Sequence, residues 1–175
     1  MKAKKATLAD LAKAKRDLRF AAVELRFLDK GNPYIAVLVS VAVLDELLRE
    51  RITESIPQKN TKLLERVFGA QNGFAYAFAP KIDLAFALGI FGENALKDFH
   101  AVRKIRNVIA HGLTVLDFEN PIIRKACENM WSVGTSLTKE TIKDLPALSL
   151  FCLTSMNLAG GISKAPKGFE IPRMS

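Results

Sequence analysis

Apolar residues recur along this chain at three- and four-residue steps, the period of a helix that buries one face. Leu8, Leu11, Ala12, Leu18, Ala22, Leu25 and Leu28 set the pattern first, and they predict a helix over about residues 7–28. Lys30-Gly31-Asn32-Pro33 stops it, since Gly suits the position past a helix end and Asn-Pro suits the start of the next helix. Tyr34 to Ile52 is apolar on nearly every side until Asp45-Glu46, then alternates Leu47-Leu48 with Arg49, Glu50 and Arg51. Its length, about nineteen residues without a breaker, favours helix over buried strand. A helix apolar all round belongs in the middle of a bundle.

Further on, the punctuation is local. Ser55 to Asn60 reads as a linker with Pro57, Thr61 as the cap of a short helix through Phe68, and Gly69 to Gly73 as a loop. A compact helix is expected from Pro80 to near Gly92, and another from Glu93 to His111 with Gly112 after its end. Asn120-Pro121 reads as a cap followed by Pro at the first helical position, and IIRKACENMWSVGTSL continues that helix. Pro146 opens a last apolar helix. These elements predict an all-α fold, a single-domain helical bundle of about six or seven helices with antiparallel neighbours. Residues 1–159 form the expected domain, and residues 160–175, with their glycines and prolines, an extended or mobile tail.

Composition narrows the picture. At 175 residues and 49% hydrophobic, the chain is long enough for one sizeable core. A formal charge of +8 points to an acidic partner, nucleic acid first, but describes nonspecific attraction rather than function. Lys13, Lys15, Arg16 and Arg19 stand in the basic first helix; they read as a solvated face, with a nucleic-acid contact as the alternative. The apolar runs Ile35 to Leu44 and Pro146 to Leu158 fall short of the roughly 20 residues a bilayer needs. Without a basic-then-apolar leader, and with Cys127 and Cys152 as the only cysteines, a cytoplasmic protein with free thiols is expected.

Chemical motifs are few. His100, His111, Cys127 and Cys152 lack the paired short spacings of a zinc site, so no metal is expected, and no glycine-rich phosphate loop implies a cofactor. Phe74, Tyr76 and Phe78 alternate in GFAYAFAP, which packs a loop onto the core or, alternatively, offers a stacking platform for bases.

The stretch Lys104 to Gly112, KIRNVIAHG, places polar groups in a greasy helix end. With His100 at zero and about 100° per residue, Arg103, Asn107 and His111 fall near about 300°, about 340° and about 20°, one polar stripe. Arg106, at about 240°, lies in the apolar arc. A guanidinium there needs a carboxylate, because an unpaired buried charge is costly; Asp45, Glu46 and Asp83 are the candidates for a structural ion pair with Arg106. His111 sits in the last turn, where the helix dipole favours a protonated ring, and so reads as a carbonyl cap or as an acid–base group.

Four blocks in order, FLDKGNPYIAVLVSVAVLDELLRERI, KIDLAFALGIF, DFHAVRKIRNVIAHG and LDFENPIIRKAC, resemble the mannitol operon repressor family from about Leu25 to Met130. Lys30 stands where the family more usually has Arg. The resemblance implies an all-helical regulator of a carbohydrate or sugar-alcohol operon, without a helix-turn-helix, acting through a regulatory protein partner. No recognition helix is seen in the residues either. Arg106-Asn-Val-Ile-Ala-His111 also resembles the RxxxxH signature of the HEPN superfamily, whose active members are metal-independent ribonucleases working as dimers. That likeness implies catalytic roles for Arg106 on the phosphate, His111 on the 2′-hydroxyl proton and Asn107 as orienting group. Arg106 and His111 are about 140° apart on the wheel, so they would converge through a distortion near Ala110 or through two subunits of a homodimer. The regulator is the preferred reading, the ribonuclease the alternative, and a basic nucleic-acid-binding module the third.

Overall fold

Pro33 opens α1 (Pro33–Ser55), as the Asn-Pro step predicts. The computed structural model describes residues 33–57, 60–111 and 118–164. The basic segment with Lys13, Lys15, Arg16 and Arg19, the residues beyond Lys164 and the side chain of His111 lie outside the described residues. Seven further helices follow: α2 (Thr61–Phe68), α3 (Phe78–Ala87), α4 (Glu93–His111), α5 (Pro121–Glu128), α6 (Trp131–Ser136), α7 (Lys139–Asp144) and α8 (Ala147–Lys164). The described residues contain eight helices and no strand, so the fold is all-α.

Three long helices, α1, α4 and α8, pack on one another; α3 closes against α1 and α4, while α5 and α6 close against α4 and α8. Leu44, Leu48, Ile52, Phe99, Val102, Leu150 and Phe151 are buried where they meet. Phe99 is a hub: its ring meets Phe91 at 4.8 Å in a tilted contact and Phe78 edge-on at 6.4 Å, the latter a geometry in which the positive edge of one ring approaches the negative face of another.

The connections explain where several boundaries depart from the pattern. Asn60, not Thr61, caps α2, its side-chain oxygen accepting from Leu63 N at 2.8 Å. After α2 the chain folds back, with Ala75 N donating to Val67 O at 2.8 Å. That close approach needs Gly73, because a Cβ there would lie 2.5 Å from the Gly69 nitrogen and 2.6 Å from its carbonyl oxygen. Helix α3 stops at Ala87 rather than near Gly92, as Gly89 takes a left-handed φ of 69°, a conformation that glycine adopts without strain.

Asn120 and Pro121 start α5 as read, with the Asn120 side chain accepting from Ile122 N at 2.9 Å. The expected single helix after them breaks at Asn129-Met130, and the break is held from outside. Asp98 of α4, 2% exposed, accepts from Trp131 N at 2.8 Å and from Ser132 N at 2.9 Å, and from Ser132 Oγ at 2.5 Å. A carboxylate thus satisfies the free N–H groups at the start of α6, which no side chain at Met130 caps.

Helix α8 takes in the first five residues, 160–164, of the expected tail. It runs through Gly160-Gly161 to Lys164 because Leu158, Ala159 and Ile162 are buried beneath it, and that burial outweighs the poor helix propensity of glycine. Among the described residues, no helix is long and apolar enough to cross a membrane.

Candidate functional site

Helix α1 was expected to be apolar all round and central, yet it buries only one face. Ala36, Val37, Val41, Leu44 and Leu48 point inward, while Ile35, Leu38 and Val39 are 56%, 44% and 38% exposed. Farther along the same helix Ala42, Glu46 and Arg49 continue the exposed side. This side descends into a cleft of about 570 Å³ walled by α1, the end of α2, the segment Tyr76 to Ala79, Lys81 of α3, and Arg103, Arg106 and Asn107 of α4.

The segment before α3 reaches the cleft through an alternating strip. Ala75 is fully buried, whereas Phe74 and Tyr76 on either side are 64% and 56% exposed. Of the three alternating aromatics, Phe78 packs into the core, edge-on against Phe99. Tyr76 and Phe78 both line the cleft.

Charge is concentrated there. Lys81 is buried, and its Nζ donates to Asp45 Oδ2 at 2.6 Å. A buried ammonium needs such a partner, and the pair ties α3 to α1. Arg49 lies over the Phe68 ring at 5.8 Å, within cation–π range. Arg106, placed by the wheel in the core, is half-buried and turns into the cleft, where its Nη1 donates to Asn107 Oδ1 at 3.1 Å.

The expected partners of Arg106 are distributed otherwise. Asp45 is held by Lys81, Asp83 lies 3.5 Å from His100 Nε2, and Glu46 lines the cleft opposite Arg106 without an ion pair to it. Among the described residues, no ion pair joins Arg106 to any of the three. The physical reason is reach: a long guanidinium side chain rooted in the apolar arc can bend its charged end toward a wet cleft. Arg106 and Asn107 are therefore brought together. His111 closes α4 one turn beyond Asn107 by its backbone.

Lys81 and Arg49 line the cleft without having been candidates in the sequence, whereas Tyr76 stood among the aromatics that could form a stacking platform. Lys81 had a signal, since it shares the inward face of α3 with Ile82 and Ala85, and a lysine on an apolar face implies a buried acid. Arg49 had none, because the packing that brings Phe68 and α4 to its side of the cleft is tertiary.

Other chemistry is poorly served. Cys127 is fully buried, and burial, with the nearby Cys152 and Glu128, pushes its thiol up to about 12, so it holds its proton and is no nucleophile near neutral pH. Among the described residues no group of three or more His, Cys, Asp or Glu side chains is placed to hold a metal ion. Comparison of the chain with protein-family models, with curated proteins and with solved structures gave no match.

Proposed function

We propose that this protein is a repressor-type transcription regulator of a carbohydrate or sugar-alcohol operon, acting in the cytoplasm through contact with a regulatory protein rather than by reading DNA. The observation that supports this reading is the exposed apolar side of α1, Ile35, Leu38 and Val39, running into a cleft bordered by arginines and by Tyr76. Contiguous apolar surface with a polar rim marks protein contact sites. Aromatic residues and Arg are the types enriched in such contacts. In the native host, deletion of the gene should raise the transcripts of the controlled operon, and the wild-type gene should restore them. Leu38→Asp places a charge on an already exposed position and leaves the core intact, so it should fold and fail to restore. Full restoration by that variant would remove this surface from the account.

One observation favours a second reading, a HEPN-like metal-independent ribonuclease. Arg106 and Asn107 share the cleft and a hydrogen bond of 3.1 Å, and a cation beside an amide supports this reading because a phosphate's developing charge calls for such donors. This reading requires His111 as the proton-transferring group.

A further inference from the structure

We infer that the cleft between α1 and α4 binds a small organic phosphate, a phosphate monoester carried on an apolar or planar body. As the effector of the regulator, this ligand rests on the function proposed above; as a binding site, it stands alone.

The charge count gives the sign. Arg49, Lys81, Arg103 and Arg106 line the cleft together with Asp45 and Glu46, four positive against two negative, leaving two. Lys81 and Asp45 neutralise one another at 2.6 Å. The excess therefore resides on three guanidinium groups, and a phosphate monoester carries about −1.5 to −2 at neutral pH.

Donor accounting points the same way. Arg103 Nε is buried and meets no acceptor, an arrangement that natural structures avoid unless something supplies one. Arg106 gives Nη1 only to a neutral amide oxygen, and Arg49 is held by an aromatic face. Among the described residues, no ion pair engages any of the three. A tetrahedral phosphate offers three terminal oxygens to such forks, which match it with two parallel N–H donors each; a carboxylate offers two.

Size and lining then describe the body. The cleft, about 570 Å³, falls within the range of small-molecule sites and greatly exceeds the phosphate alone. Its remaining wall is apolar and aromatic, with Leu38, Tyr76 and Phe78, so a ring or an apolar sugar face would be covered there. A nucleoside monophosphate and a sugar phosphate share this chemistry.

Calorimetric titration of the full chain tests the inference with adenosine monophosphate, glucose 6-phosphate, inorganic phosphate, adenosine, glucose and a short oligoribonucleotide. At least one monoester should bind at one site per chain, about tenfold or more tighter than its unphosphorylated body and than inorganic phosphate. The stronger monoester identifies the source. Arg103→Gln should weaken it by about tenfold or more with an unchanged circular dichroism spectrum. Should that variant not fold, Arg49→Gln, at an exposed position, carries the same comparison. The site is overturned if neither monoester binds, if binding survives both substitutions undiminished, or if only the oligoribonucleotide binds. Loss of transcript control in the host alongside intact monoester binding, or the reverse, separates failure of the ligand site from failure of the regulator.

Discussion

Asp98 shows how much one side chain can organise. Its carboxylate, almost wholly buried, accepts three hydrogen bonds from Trp131 and Ser132. Removing it strands those donors, so Asp98→Ala should lose about 3 kcal/mol of stability, a typical cost for hydrogen bonds to a buried charged group. Urea unfolding checks this, and Asp98→Asn, which keeps one acceptor oxygen, should recover part of the loss. Cys127 carries a pH signature. Its folded thiol is raised from an ordinary value of 9.0 to about 12. Below pH 9 the proton is present in folded and unfolded chains alike. Between 9 and about 12 the unfolded chain releases it first, so stability falls as the pH rises through that window. Stability measured from pH 8 upward should therefore drop more steeply in the wild type than in Cys127→Ala; parallel curves would contradict the burial argument. Neither residue was legible in the sequence. Asp98 reads as an ordinary helix carboxylate until α6 is folded over it, and a cysteine's burial depends on packing between α5 and α8.

At the scale of elements, signals written in adjacent residues were readable and those written across the fold were not. Asn120-Pro121 starts α5 because cap and first turn are neighbours in sequence. By contrast, α7 went unread: its cap is Thr138, but its end is held by Arg124 of α5, which donates to the carbonyls of Ile142, Lys143 and Leu145. A guanidinium at a helix C-terminus replaces the missing donors there. Gly160-Gly161 was read as a stop, yet α8 passes through both. Added Cβ atoms there would meet nothing within 4 Å, so the glycines cost helix stability without serving packing. Gly161→Ala should therefore stabilise the fold by about 0.5–1 kcal/mol, measurable as a raised melting temperature; a lowered one would show that the helix end needs glycine.

For the whole molecule, the all-α class followed from period and punctuation, since helix-period apolar spacing and helix starts and stops recur along the chain up to Gly160. The cleft did not follow. The wheel located Arg103 and Asn107 on one stripe correctly, but it fixes only where a Cα–Cβ bond points, and the long side chain of Arg106 turns its charge back to Asn107. Likewise, the apolar stretch from Ile35 onward could not say which of its sides would be covered; packing against α3, α4 and α8 leaves Ile35, Leu38 and Val39 outward. Exposed apolar surface beside an arginine-lined cleft supports a protein that binds. The alternative proposed above gives Arg106 and Asn107 of that cleft a part in RNA cleavage with His111, and one measurement separates the two. Purified protein is incubated with labelled single-stranded RNA in EDTA, in parallel with His111→Ala. The binding account predicts intact RNA in both reactions. Cleavage by the wild type that disappears in His111→Ala would contradict it and make the cleft an active site.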